Sequence, residues 1–598
     1  MTMSFRSERV AAIDRPGQGR EAPRPPTSQP APARHRIPVA SALRRCLGKG
    51  YGLGDLRADL LAGTVVGVVA LPLSMALAIA VGAPPQHGLY TAIVAGALVA
   101  LLGGCKFQVT GPTAAFVVIL APIVAEHGLS GLMTAGLLAG VLLVIMGLAR
   151  LGRLIEYIPY PVTTGFTAGI ATVIATLQVK DVLGLQAGPL PEHYTAKVSA
   201  LWAARETADL FELSVAASTL ALLLLVPRVV KKVPAPLIAI TVVSLAAAAV
   251  DAVYPAFSVA TIGSRFRSTV GGVEIAGIPS ILPTPSLPWG DGLSLELVRE
   301  LLPAAFAIAM LGAIESLLSA VIADGMTGTK HDPDSELIGL GVGNIVAPIF
   351  GGIAATGALA RTATNIRAGA RSPIASVTHA AVVLLSILVF APLVAYVPMA
   401  SLAALLLLVA WNMSELHHFI RLVRLAPRSD VFVLLTCYGL TVILDMVIAV
   451  SAGVILAAIL FMRRMAELTG SRTVLDAAGG SSEVELPRRV ALYEINGPLF
   501  FGAAQKAMAA LHAIRGDSYE VMILDLGKVP FIDSTGFVAL ENALDGLARR
   551  QKAVILAGPL PRPREIFDKA RLPERSQRVY VAEDLAAALR LAGELVNG

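Results

Sequence analysis

Apolar residues fall along this chain in long blocks, not in strict alternation. Leu60 to Val81, Leu132 to Ala149, Pro234 to Val250, Leu301 to Ala323, Ala375 to Val394 and Val431 to Val450 carry almost no charge. Crossing a bilayer takes roughly 20 predominantly apolar residues. Each block predicts a membrane helix, because an open sheet edge in lipid would leave backbone groups unpaired. Counting the shorter runs as well predicts about fourteen spans. Past Arg464 the pattern changes. Gly479, Gly480, Ser481 and Ser482 mark a linker. Strands are then predicted at Val490 to Ile495, Glu520 to Leu526 and Ala553 to Ala557, and helices at Ala503 to Ile514, Gly536 to Arg549 and Arg564 to Lys569. Strands alternating with helices define a small α/β domain of about 100 residues. The predicted domains are a disordered cytoplasmic tail at 1–50, a membrane domain at 51–466, a linker at 467–488 and the α/β domain at 489–598. Met1 to Pro38 is polar and rich in Arg and Pro, unlike a secretory signal peptide.

Composition agrees with a membrane protein. Of 598 residues, 55% are hydrophobic and 15% charged, and mean hydropathy is +0.71. A soluble chain carries about 25% charged residues. The net charge of +6 follows topology. With a cytoplasmic N-terminus, the inside segments hold Arg44, Arg45, Lys49 and Arg57, then Lys106, then Arg150 and Arg153, then Arg228, Lys231 and Lys232. Later inside segments hold Lys330, Arg367 with Arg371, then Arg421, Arg424 and Arg428, and finally Arg463 with Arg464. The outside connections Gly82 to His87, Glu126 to Ser130 and Ala395 to Val397 hold no Lys or Arg. This is the positive-inside pattern, with both termini cytoplasmic and the chain in the inner (plasma) membrane. The longer outside segments Lys180 to Thr207 and Tyr254 to Glu300 do contain basic residues, and long loops obey the rule weakly. No nucleic-acid partner is implied. Cys46, Cys105 and Cys437 lack disulfide or zinc spacing, so no metal site is expected. No nucleophile–base motif or nucleotide fingerprint points to an enzyme, and "DGMTGTK" from Asp324 to Lys330 lacks phosphate-loop spacing.

Two short segments of small residues stand at corresponding positions in the two halves. One is Gln108-Val109-Thr110-Gly111-Pro112-Thr113-Ala114-Ala115-Phe116; the other runs from Gly351 through Thr356, Gly357, Ala358, Leu359, Ala360 and Arg361 to Thr362. Both follow glycine-rich turns and are expected to enter apolar helices, with Pro112 in a first helical turn. Broken helices of this kind aim their N-terminal dipoles at a small anion near the midplane, and Arg361 adds a fixed positive charge. The competing reading is close helix packing by small residues. Glu315 lies in an otherwise uncharged apolar run, with Ser319 one turn later on the same face. An ionisable group at that depth faces a cavity or a partner. It suits proton coupling, and an ion pair with Arg361 is the alternative. Asp445 is read as a helix–helix contact or a position near the outer surface, and His417 and His418 as interfacial. In the α/β domain, Asp533 or Ser534 is placed to cap a helix, whose N-terminus could accept an anion or phosphate.

These features resemble the SulP (sulfate permease) family over nearly the whole chain. Asp59 to Tyr90, "DLLAGTVVGVVALPLSMALAIAVGAPPQHGLY", looks like the family's signature region. The run from Asp324 to Pro373, "DGMTGTKHDPDSELIGLGVGNIVAPIFGGIAATGALARTATNIRAGARSP", is more specific, and its wording is most similar to the DauA-type branch, which handles C4-dicarboxylates such as succinate. "DLGKVPFIDSTG", from Asp525 to Gly536, resembles a STAS domain, related to anti-sigma-factor antagonists, in which the serine matching Ser534 can be phosphorylated. The resemblance implies a polytopic α-helical fold of fourteen helices in two inverted seven-helix repeats, forming core and gate domains. It implies alternating-access symport with a proton and no other cofactor, a homodimer, and a cytoplasmic protein partner for the STAS domain. The anion would lie between the third and tenth helices, at Thr113, Ala360 and Arg361, with Leu73 and Leu77 of the first helix lining the pocket. Many relatives carry Pro-Gln where this chain has Pro72-Leu73, which removes a polar anion contact. The sodium-coupled bicarbonate branch carries Asp and Thr where this chain has Glu315 and Ser319. Sulfate or bicarbonate transport, with sodium as the coupled ion, is therefore the alternative, and a membrane-anchored regulator is a further one.

Overall fold

The computed structural model describes residues 39–598 except 156–157, 189, 192, 231–232, 255–256, 271–272, 290–291, 293, 445, 469, 476–485, 514–518, 573–577 and 598. The predicted tail at Met1 to Pro38, Lys231, Lys232, Asp445 and the linker residues Gly479, Gly480, Ser481 and Ser482 lie outside the described residues. The first half runs α1 (Ser41–Gly48), α2 (Leu53–Val81), α3 (Pro85–Leu102), β1 (Thr110–Gly111), α4 (Ala114–Leu148), α5 (Gly152–Ile155), α6 (Tyr160–Val182), α7 (Tyr194–Ala203), α8 (Leu210–Val229) and α9 (Ala235–Val253). A connection follows with α10 (Ile262–Arg265) and a hairpin of β2 (Arg267–Val270) and β3 (Val273–Ala276). The second half runs α11 (Leu295–Thr327), α12 (Pro333–Ile349), β4 (Thr356–Gly357), α13 (Leu359–Arg367), α14 (Ile374–Val394), α15 (Met399–Met413), α16 (Leu416–Leu425), α17 (Arg428–Ile443) and α18 (Met446–Leu468).

Among the described residues, ten segments are long and apolar enough to cross a membrane. Gly128, at φ 66° and ψ −172°, divides α4 into two helices. That backbone region is essentially reserved for glycine. With α4 divided and the shorter α12, α13 and α17 added, the count reaches the fourteen that the apolar runs predict. One predicted block is corrected: Val431 to Val450 is not a single span. Helix α17 stops at Ile443, and Leu444 leaves the helical region at φ −106°, ψ −104° before α18 begins. In the sequence the break falls at Leu444-Asp445, and apolar residues on both sides keep the run's hydropathy high through that single charge.

The packing repeats when the halves are exchanged. Helix α4 lies on α12 and α11, and α14 lies on α3 and α2; α6 packs on α15 and α17, and α15 packs on α8. The helices α2–α4 and α11–α14 thus form one group, the core, while α6, α8, α9, α15, α17 and α18 form a second, the gate. Residues of both contribute to a continuous apolar cluster that includes Leu77, Phe116, Leu120, Phe166, Ile170 and Leu406. At the centre β1 and β4 pair antiparallel, Thr110 opposite Gly357 and Gly111 opposite Thr356. Both strands are the dipeptide Thr-Gly, so the pairing maps onto itself.

Segments assigned to one side of the membrane by charge also touch one another. Arg45 donates to the Lys330 carbonyl at 2.8 Å and to the Gly104 carbonyl at 2.9 Å. Arg371 pairs with Asp55 at 2.8 Å, and the Gly152 amide donates to Asp334 at 3.2 Å. On the other side Ser130 bonds the Pro288 carbonyl, the Gly263 amide donates to the Ala395 carbonyl at 2.8 Å, and Arg265 pairs with Asp181 at 2.7 Å.

The C-terminal domain is a five-stranded sheet in the order β5 (Gly470–Leu475), β6 (Val490–Asn496), β7 (Val521–Lys528), β8 (Ala553–Ala557) and β9 (Val579–Ala582). The β6–β9 neighbours are parallel and β5 joins antiparallel. Alternation along β6 sends Ala491, Tyr493 and Ile495 to one face and Val490 and Leu492 to the other. Helices α19 (Phe501–Ala513), α20 (Ser534–Arg549) and α21 (Pro561–Ala570) cover the first face, and α22 (Leu585–Asn597) covers the second. Strand β5 falls in the stretch 467–488, which reads as linker in the sequence.

Candidate functional site

The strand pair β1–β4 hands the chain into two helices that begin side by side. Helix α4 starts at Ala114 with Thr113 as its N-cap, and α13 starts at Leu359 with Ala358 as its N-cap. Neither cap closes its helix with a side-chain hydrogen bond. Their first-turn N–H groups therefore retain the positive end of each dipole. Two expectations need correction. Pro112 stands before the N-cap, not in a first helical turn, because the pairing of Gly111 with Thr356 keeps the backbone extended up to that point. And α13 is a short, largely polar helix, LARTATNIR, instead of an apolar one.

Arg361, the third residue of α13, is only 2% exposed. Its Nη2 donates to the Pro112 carbonyl at 2.9 Å, while Nε and Nη1 have no hydrogen-bond partner among the described residues. Gly111 makes room for it, since a Cβ there would sit 2.5 Å from Nη1. On the next residue, the Thr113 hydroxyl donates to the Glu315 carboxylate at 2.9 Å. Consecutive residues thus anchor the guanidinium from α13 and the carboxylate from α11. Glu315 bonds Thr113, and no direct ion pair joins it to Arg361 among the described residues.

Behind this pair lies a buried polar frame. Gln108 Nε2 donates to Ser316 at 2.5 Å and to Glu336 Oε1 at 2.7 Å. Glu336 Oε2 accepts from the amides of Gly104 at 2.8 Å and Cys105 at 2.9 Å. A Cβ at Gly357 would collide with Gln108 Nε2. The Val109 amide and the Ser319 hydroxyl both donate to the Thr362 hydroxyl, at 3.1 and 3.2 Å. Asn365 holds the Phe107 carbonyl at 2.9 Å and Ser376 holds the Gln108 carbonyl at 2.6 Å. Thr110 Oγ1 and both ring nitrogens of His379 are buried with no partner among the described residues.

The sequence-predicted residues therefore gather, with distinctions. Thr110, Gly111, Pro112, Thr113, Gly357, Ala358, Leu359, Ala360 and Arg361 meet at the strand pair and the two N-termini. Ala360 and Leu359 are exposed, and Glu315 and Leu73 are partly so. Leu77 is 1% exposed and packed in the apolar core. Ser319 is fully buried and directed to Thr362, apart from Glu315's own contact. Asp533 and Ser534 sit in the other domain: Asp533 caps α20 by accepting from the Gly536 amide at 2.6 Å, and Ser534 is exposed in the first turn. Glu336 and His379 were not singled out by the sequence, and Gln108 and Thr362 stood there only as the ends of the two small-residue segments. A carboxylate in the first turn of a helix reads as a dipole complement, which hides the reach of Glu336 across to Gly104 and Cys105.

The fold and this centre define a class: a polytopic helical membrane protein with inverted halves, whose two broken helices start at a shared central point. The chain belongs to the sulfate permease family, whose model matches residues 56–437, and it carries a STAS domain matched over 481–586. It is 41% identical over 524 residues to "Putative sulfate transporter YvdB" of Bacillus subtilis, covering 88% of this chain and 95% of that one. It is 31% identical over 543 residues to "Bicarbonate transporter BicA" of Picosynechococcus, covering 87% and 92%. The murine Slc26a9 anion transporter in its inward-facing state shares the fold with a TM-score of 0.80, at 18% identity over 93% of this chain and 94% of that one. The transmembrane domain of a cyanobacterial BicA aligns with a TM-score of 0.57 at 26% identity, covering 68% and 98%.

Proposed function

We propose that the chain carries a small anion across the bilayer by alternating access, with a proton on Glu315 as the coupled ion. The observation that carries this reading is the meeting of two uncapped helix N-termini with the unpaired Nε and Nη1 of Arg361. An anion between α4 and α13 would receive N–H groups from both helices and a fixed positive charge. Glu315 stands beside the same point, tethered through Thr113. Its negative charge opposes an anion there, and a proton removes that opposition. Anion and proton then favour each other's binding by linkage, which is the requirement of a symporter.

Relatives described as sulfate and bicarbonate transporters support an inorganic oxyanion as cargo. The wording of the Asp324 to Pro373 motif supports a C4-dicarboxylate such as succinate. Basic residues on one side of the core support an inner-membrane location with both termini cytoplasmic. The STAS domain, with Ser534 exposed, is the natural contact for a cytoplasmic partner, and the working unit is taken as a homodimer.

Uptake of labelled sulfate, bicarbonate and succinate into liposomes carrying the full chain, under an inward proton gradient, tests the reading. At least one should accumulate, and the other two should compete according to their fit. Glu315→Gln should abolish gradient-driven accumulation while anion exchange continues. Accumulation that survives this substitution, or that follows a sodium gradient instead, removes Glu315 from proton coupling.

A further inference from the structure

Helix α1 precedes the first membrane span, on the side that the basic residues assign to the cytoplasm. It is fastened to the core where α3 ends. The Ala40 and Ala42 amides donate to the Leu102 and Gly103 carbonyls at 2.7 and 3.4 Å, so the start of one helix closes the last carbonyls of another. Arg45, one turn later, donates through Nη1 to the Lys330 carbonyl at 2.8 Å and through Nη2 to the Gly104 carbonyl at 2.9 Å. The first bond ties α1 to the turn between α11 and α12. The second ties it to the turn that leads from α3 into β1.

The Gly104–Cys105 peptide is therefore held at both ends. Arg45 takes its carbonyl, and its N–H donates to Glu336 Oε2 at 2.9 Å. The Gly104 amide donates to the same oxygen at 2.8 Å. Hydrogen bonds at the two ends of one peptide polarise and strengthen each other. Glu336 is 1% exposed, and its Oε1 accepts from Gln108 at 2.7 Å. Gln108 is packed directly against Gly357 of β4. A Cβ on Gly103 would lie 2.7 Å from Glu336 Oε2, so the turn meets α12 with no slack. Strand β4 has its own anchor on α12: Asn344 donates to the Ala355 carbonyl at 2.9 Å and accepts from the Ala355 amide at 2.8 Å. That anchor lies within the membrane domain, whereas the anchor of β1 continues through Arg45 to a surface helix.

We propose that α1 is a strap that sets the position of β1, and that Arg45 and Glu336 are positioning residues for the central anion site. Neither touches the anion. They act through the Gly104–Cys105 peptide and Gln108 on the strand pair from which Thr113 and Arg361 are presented. The inference rests on the transport reading for its effect on uptake. Arg45 itself is exposed, so replacing it leaves the packing of the core in place.

The test uses the full chain in liposomes with labelled sulfate as the probe. Arg45→Gln should raise sulfate KM about three- to tenfold, the size of one hydrogen bond, with kcat little changed and the thermal midpoint of the solubilised protein retained. Arg45→Lys, which keeps the charge without the forked reach to two carbonyls, should recover part of the loss. In a Glu336→Gln background, Arg45→Gln should add little, because both act through one peptide. An unchanged KM in Arg45→Gln, or full additivity with Glu336→Gln, overturns the proposal. Hydrogen exchange gives a readout that needs no flux. In Arg45→Gln the amides of residues 104–113 should exchange at least threefold faster, while those of α6 and α15 keep their pace. Where sulfate is not taken up, this exchange alone decides: faster exchange supports the strap and unchanged exchange refutes it. Wild-type uptake by Arg361→Gln would instead remove the transport reading and leave the exchange result standing.

Discussion

At the residue scale, two charges in apolar surroundings were conspicuous in the sequence, and both lie at the centre of the molecule. Arg361 and Glu315 are anchored by Pro112 and Thr113. The polar frame behind them was not legible, because Gln108 with Glu336, and Val109 with Thr362, meet across more than two hundred residues. Asp59 teaches the same lesson. It is fully buried and accepts from Tyr51 Oη at 2.8 Å, from the Arg371 and Ser372 amides at 2.6 and 3.0 Å, and from the Ser372 hydroxyl. It thereby ties the start of α2 to the turn between α13 and α14. Hydrogen bonds to a charged group contribute about 1.5–3 kcal/mol each. Asp59→Asn points an amide donor at a ring of donors, and should cost roughly 2–4 kcal/mol. A fall in the thermal midpoint of the detergent-solubilised protein checks this. An unchanged midpoint would mean that the α2 connection does not depend on the carboxylate.

At the scale of elements, apolar runs located most of the membrane helices, and short apolar runs set between helices located three of the five strands of the C-terminal sheet. Two of the features that escaped have a physical reason. The break at Leu444 is marked by one charge, Asp445, inside an otherwise apolar run, and strand β5, GSRTVL, is polar in its first half and pairs antiparallel at the sheet's edge. The half-helix α13 is too polar to be seen by hydropathy; the small-residue segment leading into it pointed to it, and the structure adds the Thr-Gly repeat that pairs the two segments. That repeat is also the most sensitive element. Gly357 faces Gln108 with no space for a side chain, so Gly357→Ala must push Gln108 away from Glu336 and Ser316. Buried polar groups left without partners cost about 1–3 kcal/mol each. The variant should reach the membrane but lose most of its transport, as surface quantification alongside uptake would record. Normal uptake would show that the β1–β4 pair tolerates movement.

At the scale of the whole molecule, charge distribution and contacts agree. Arg45, Gly104, Lys330, Gly152 and Asp334 meet on one side, and Ser130, Pro288, Asp181, Arg265 and Ala395 on the other. The inverted packing follows from the same partition, since exchange of the halves preserves the central strand pair. The central claim is that the two N-termini and Arg361 together form the anion site. Its most direct test is the concentration dependence of labelled anion uptake by the full chain in liposomes, compared between wild type and Arg361→Gln. Loss of one charge-assisted contact, about 1.5–3 kcal/mol, predicts roughly a tenfold or greater loss in kcat/KM with the fold retained. An Arg361→Gln protein that transports with wild-type kcat/KM would contradict the account.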